Sequence, residues 1–270
     1  MALSRASFDG ITVPDEVRDS ILSTLVGGAP FGRSLPVLRT VRGTIAFPIA
    51  APSGQGWVAE NQPLPTVTLN DDSYVIGVAK IAGLIAMSNE SMTDSVLDQE
   101  AAVGAVLKDT LSADLDDGLL NGTGIAPIPA GVIGRATSTT GTFTDMRSGV
   151  IASIGELIDA GADPSAIKVY ANGLTVAPEL AREGTAGPIY TKGVDGLPYG
   201  AQIVPAQKMG AAEVLVVDTT RCWLVTHDDF EVAVSGEAGF ANDQTLLRIK
   251  GRFNVATPVP GKALRTFTVS

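Results

Sequence analysis

Between Gly54 and Gly131 the chain reads as two pieces that cannot bury themselves. The first is a long extended segment broken by glycine and proline, with Trp57-Val58-Ala59-Glu60 near its start. The second is one long helical pattern that stops at Asn121-Gly122-Thr123-Gly124. A hairpin of that length is at best marginally stable alone in water, so it must lie against something else. The reading is another copy of the same chain.

The helical pattern is amphipathic. Leu97, Ala101, Gly104, Leu107, Leu111, Leu115 and Gly118 recur at helical spacing, whereas Asp98, Asp109, Ser112 and Asp116 are expected on the opposite, solvated side. Capped by Thr93 or Asp94, it would run about 40 Å at 1.5 Å per residue. A single helix of that length is a structural spine.

Around this feature the pattern is mixed. Thr12 to Leu25 opens as a helix with Pro14 in its first turn, and Leu35 to Ile49 is extended. Tyr74 to Ala86 reads as one returning strand. The glycine- and threonine-rich run to Thr144 reads as a loop or linker. Asp145 to Ala160 is a second core helix, followed by a strand at Ile167 to Ala171 and a helix from Leu174 to Glu183. Strands are expected at Gln202 to Val204, Glu213 to Val217, Cys222 to His227, Phe230 to Val234, Leu246 to Ala256 and Ala263 to Val269. The alternation is α+β, without regular βαβ units or an internal repeat.

Composition narrows function. At 270 residues with 45% hydrophobic content, a core is available. The net charge of −10 argues against gripping nucleic acid across a broad surface, which needs an excess of lysine and arginine. Cys222 is the one cysteine, so no disulfide framework exists, and its apolar flanks read as a buried, inert thiol. No window approaches the roughly 18 apolar residues of a membrane span, and no signal-peptide pattern opens the chain.

Candidate chemistry is sparse. Gly27 to Ser34 nearly spells a phosphate loop, but Arg33 replaces the lysine, a helix precedes it, and Pro36 disfavours the helix that would hold the phosphate. His227-Asp228-Asp229 holds the single histidine, and a strand-end histidine beside an aspartate-rich turn explains it. Asp71-Asp72 and Asp114, Asp116 and Asp117 fit no calcium loop and read as solvated acids. Arg248, Lys250 and Arg252 alternate along a strand and form a cationic ladder, while Gly54 to Val75 carries only Glu60, Asp71 and Asp72 as charges. A solvated strand face accounts for the ladder equally well. No catalytic, cofactor-binding or metal-binding residue is assigned.

With these residues in place, the chain resembles the major capsid proteins of tailed double-stranded DNA bacteriophages that share the HK97 fold. The matching pattern is Trp57-x-x-Glu60, Lys80-Ile81-Ala82 leading to Ser88-Asn89-Glu90 and Asp94, then Asp117 to Gly124 with Pro129-Ala130-Gly131. Val169-Tyr170-Ala171-Asn172, the Gly196 to Gly200 turn, and Arg248 to Arg252 ahead of Pro258 to Ala263 follow in order.

The resemblance implies an N-terminal arm at 1–34 and a peripheral domain at 35–130, with an extended loop at about 50–80 and a spine helix at about 94–121. An axial domain at 131–240 follows, and strands at 241–270 return to the peripheral domain. It implies a non-enzymatic role: pentamers and hexamers closing into an icosahedral virion shell, assembled in the host bacterial cytoplasm around double-stranded DNA held without sequence-specific binding. Portal, a separate scaffolding protein and a decoration protein are implied partners. Because recognisable pattern begins near Thr12, any scaffold is expected to be a separate protein or already trimmed away. Trp57, Glu60, Arg248, Lys250 and Arg252 are the candidate inter-subunit contacts. The closest alternative is an encapsulin-like bacterial nanocompartment enclosing enzyme cargo. A more distant one is a monomeric hydrolase or binding module using Ser88 or His227.

Overall fold

The computed structural model describes residues 29–49, 57–63, 73–90, 99–184, 187–188, 197 and 200–270. The expected helix at 12–25 and the caps Thr93 and Asp94 lie outside these residues. In chain order the elements are α1 (Pro30–Ser34), β1 (Val37–Arg39), β2 (Thr44–Pro48), β3 (Ser73–Gly77), β4 (Ala79–Ser88) and α2 (Gln99–Asn121). Next come β5 (Thr137–Ser138), α3 (Met146–Asp159), β6 (Ile167–Ala171), α4 (Gly173–Leu180), β7 (Glu183–Gly184) and β8 (Gly187–Pro188). The chain ends with β9 (Gln202–Pro205), β10 (Glu213–Asp218), β11 (Trp223–Gly239), β12 (Gln244–Ala256), α5 (Pro260–Ala263) and β13 (Leu264–Thr268).

Two sheets organise these elements. The first has the order β1-β11-β12-β4, antiparallel except for β1 on β11. Alternate residues of β12 explain how it is covered: Leu247, Ile249 and Phe253 turn inward and share a core with Leu111, Leu115, Leu119 and Leu120 of α2. The second has the order β5-β13-β10-β6-β9. Its central strand β10 is apolar on both faces: Val214 and Val216 pack on Val150, Ile154 and Leu157 of α3, whereas Leu215 and Val217 face the core that contains α2. A continuous Val-Leu-Val-Val run is what a strand buried on both sides requires.

Short α1 ties the two sheets together. Its N-cap Ala29 offers no side-chain acceptor. Asp116 of α2 supplies one from 84 or more residues away, accepting the Phe31 N–H at 3.0 Å and the Gly32 N–H at 3.1 Å. At the other end, Ser34 shares a hydrogen bond with Tyr170 of β6 at 2.6 Å, and Lys168 donates to the Ser34 carbonyl. Phe31 and Tyr170 meet edge to face at 4.9 Å.

Several expectations are corrected. Asp116 and Ser112 are buried, not solvated, because Asp116 is spent on the otherwise uncapped α1. The start of helix α1 in the Gly27–Ser34 stretch does hold an anion, but it is this internal carboxylate. Within the stretch 1–34 expected as an arm, the described residues Ala29, Phe31 and Gly32 are buried. The returning strand 74–86 is two strands, since β3 pairs with β2 while β4 changes partner to β12. His227-Asp228-Asp229 is no turn: β11 runs through it, and register shifts at Thr226/Asp228 and Asp228/Glu231 absorb the irregularity. The run 122–144 is closed on itself by a Thr123–Ala130 bridge and returns to α2 where the Val132 N–H donates to the Leu119 carbonyl.

Both sheets draw on distant parts of the chain. Residues 223–239 pair along β12 in the first sheet, and β13 joins the second beside β10, which needs a neighbour on each edge.

Candidate functional site

The extended loop begins from a fixed base. Phe47 of β2 stacks on Trp223 of β11 at 5.7 Å and 10°, and Tyr74 of β3 lies 6.2 Å from Phe47. Arg135 donates to the Tyr74 hydroxyl at 2.7 Å and to the carbonyls of Gly131, Ala130 and Val255. With Ile76, Val225 and Ala256 these aromatics make a separate small core at the base of the hairpin. Its described tip is bare. Trp57 is fully exposed, and Glu60 sits in a turn closed by Gln62 N–H to the Ala59 carbonyl, with Asn61 at φ 66°. Burying that indole elsewhere would contribute roughly 3 kcal/mol.

The cationic ladder lies on the outer face of the first sheet, where period-two alternation placed it. Arg248 and Arg252 are exposed and Lys250 is half-buried. Pairing adds what sequence reasoning missed: Lys80 of β4 stands directly opposite Arg252, and Leu84, exposed at 64%, stands opposite Arg248. Lys80 and Arg252 thus bring two cations to one end of the ladder, with Asp228 of β11 opposite Arg252 on its other side. A hollow of about 90 Å³ lies among Lys80, Lys250, Gly251 and Arg252. Lys250 already has a partner within the chain, Glu231 of β11 at 2.9 Å. The register between β4 and β12 was the missing signal, because it is set by chain closure across some 160 residues.

Other chemistry does not assemble. Ser88 pairs with Gln244, whereas the neighbours of His227 pair with Phe253 and Arg252, so the two lie about 26 Å apart along the sheet. Cys222 is fully buried, and desolvation pushes its thiol up to about 12. A cavity of about 450 Å³ between α3 and α4 contains Asp145, Glu179 and Arg182. Its acids are helix caps. Asp145 accepts the Ser148 N–H at 2.7 Å, which with Arg182 holds its carboxyl below the usual range, and Glu179 accepts the Met146 N–H. Among the described residues no three histidine, cysteine or acidic side chains gather as metal ligands, and no helix is long and apolar enough to cross a membrane.

Comparisons with known proteins agree with this architecture. A family model described as the phage capsid family matches residues 9–265. The capsid of a native GTA particle superposes with a TM-score of 0.71 at 14% identity, covering 100% of this chain and 95% of that one. A structure from Microbacterium phage Oxtober96 gives 0.70 at 19% identity, covering 99% and 96%. A virus-like particle from Pyrococcus furiosus gives 0.69 at 12% identity, covering 95% and 100%. At these identities the structural likeness shows the fold. Among curated proteins none matches this chain by sequence.

Proposed function

The chain belongs to the phage capsid family, and on that premise we propose that it is the major capsid protein, many copies of which close into an icosahedral shell. In this reading the β1-β11-β12-β4 sheet with α2 is the peripheral unit, and the five-stranded sheet with α3 is the axial unit. The extended loop reaches over a neighbouring copy, and the shell holds double-stranded DNA without reading its sequence. Portal, scaffolding and decoration proteins are partners of the same proposal, as are assembly in the host cytoplasm and the absence of catalysis.

One observation carries it: a fully exposed tryptophan at the tip of a hairpin whose base is locked by stacked aromatics. A soluble monomer gains nothing from that geometry, whereas a subunit that must place an apolar anchor on its neighbour does. The negative charge also suits a container whose wall should not adsorb its contents.

The expressed protein should sediment as capsomers or closed particles that negative-stain microscopy resolves. A monodisperse monomer at all concentrations would overturn the reading. DNA-filled heads in infected cells support it over a protein-filled compartment.

The shell is held without covalent links in this proposal. Gly54 to Val75 contains no lysine, so this stretch offers no amine for an isopeptide bond. Mature particles boiled in detergent should run as a single monomer band, and a ladder of linked subunits would contradict this.

A further inference from the structure

A second concave site adjoins the cationic hollow and shares Lys80 with it. It lies between α2, the start of β4 and the 125–129 loop, has a volume of about 220 Å³, and is floored by Ile81, Leu115, Gly118, Ile128 and Phe253. That is below the roughly 300 Å³ at which small-molecule pockets begin, so it suits one large side chain. Gly118 helps keep it open: a Cβ there would make only ordinary contact with Pro129 at 3.7 Å, and the residue lines the cavity. Its rim carries one anion, Asp114, and one cation, Lys80.

The loop tip presents the complementary set. Trp57 offers a flat apolar ring with a single N–H donor, and Glu60 offers an anion three residues later. Resting on the shell reading above, we propose that this cavity receives the Trp57 indole of a second copy. The ring fills the apolar floor, its N–H donates to the Asp114 carboxylate, and Glu60 of the same incoming loop pairs with Lys80. A buried indole needs an acceptor for its N–H, and Asp114 stands where one is required. Charge complementarity selects the arm tip as occupant: the site has one acceptor and one cation, and the tip has one donor and one anion.

The test is assembly of purified protein, read by sedimentation as the concentration at which particles form. Wild-type shells are established first; their absence would overturn the shell reading itself. Trp57→Ala should raise the critical concentration at least about 30-fold, the loss typical of a central aromatic anchor. Gly118→Leu, which fills the hollow from the other side, should do the same while leaving the melting temperature of the unassembled protein unchanged or higher. Glu60→Lys and Lys80→Glu should each impair assembly, and the double reversal should recover it. Wild-type-like assembly of Trp57→Ala or of Gly118→Leu would overturn the proposal. So would charge reversals that fail to rescue each other, or a blocked Gly118→Leu beside an unaffected Trp57→Ala, which would assign the cavity to another side chain.

Discussion

Asp116→Ala is expected to lower the stability of the unassembled protein by about 3 kcal/mol at neutral pH, a fall of roughly 6 to 12 °C in melting temperature. The carboxylate accepts the N–H groups of Phe31 and Gly32, and both bonds are buried. These are the second and third residues of a helix that begins at a proline and has no side-chain cap of its own. Alanine leaves two buried donors unpaired, at about 1 to 3 kcal/mol each, partly offset because a desolvated charge disappears with them. The damage should spread, since α1 is also where Ser34 meets Tyr170 and Lys168 of the second sheet.

The pH dependence of that loss has a definite sign. Burial raises the Asp116 carboxyl from 3.8 to about 6, against the opposing hydrogen bonds from Phe31 and Gly32. A group with a raised native pKa binds its proton more tightly in the folded state. Its contribution is therefore full below pH 3.8 and is lost as pH rises through about 6. The gap between wild type and Asp116→Ala should widen by about 2 kcal/mol from pH 7 to pH 4.5. Taking the difference cancels groups common to both proteins, such as Asp145 and Glu156, whose lowered values act in the opposite direction. Thermal melts at the two pH values decide it, and a gap that is constant or narrows in acid would refute the buried-acid account.

What could be read from the sequence follows the range of the forces involved. The helix at Asp145, the strand 167–171 and the Val214 to Val217 run announce themselves by local caps and periodicity, and the structure places them within a residue or two. The ladder face was legible for the same reason, since alternation fixes which side Arg248, Lys250 and Arg252 occupy. Partner choice was not legible. Residues 74–86 look like one strand because the pattern barely changes where pairing passes from β2 to β12. Asp228-Asp229 looks like a turn because adjacent acids usually are one, and the long pairing of β11 with β12 overrides that preference. Asp116 looked solvated because its partners lie at Phe31 and Gly32, and the place of Lys80 beside Arg252 could not be read because it depends on register. Each miss concerns a contact made far along the chain.

The largest single-residue effect is expected where glycines let backbone touch backbone at the end of α2. Val132 N–H returns to the Leu119 carbonyl at 3.0 Å and Gly131 N–H to the Gly122 carbonyl at 2.8 Å, satisfying acceptors that a helix C-terminus leaves open. Neither Gly122 nor Gly131 has a positive φ, whereas Gly124 does, at 74°. Their role is therefore close approach and not conformational freedom. A Cβ on Gly131 would fall far inside contact distance of the Leu120 carbonyl and the Gly122 nitrogen, and one on Gly122 would strike the Pro129 and Gly118 carbonyls. Side chains can rotate away from an intruding methyl, but these atoms are main chain. Gly131→Ala should thus exceed the usual 1 to 3 kcal/mol of overpacking and reach about 4 kcal/mol or more, a large part of a typical domain's 5 to 15. The expected outcome is a melting temperature lower by about 10 °C or recovery only as insoluble protein. Gly155→Ala is the matched control: it lies in α3, a Cβ there meets nothing within 4 Å, and helix propensity predicts a slight gain. If Gly131→Ala melts within about 2 °C of wild type while Gly155→Ala behaves as expected, the folded-back loop is not packed as described, and the floor that Gly118 and Ile128 give to the Trp57 cavity fails with it.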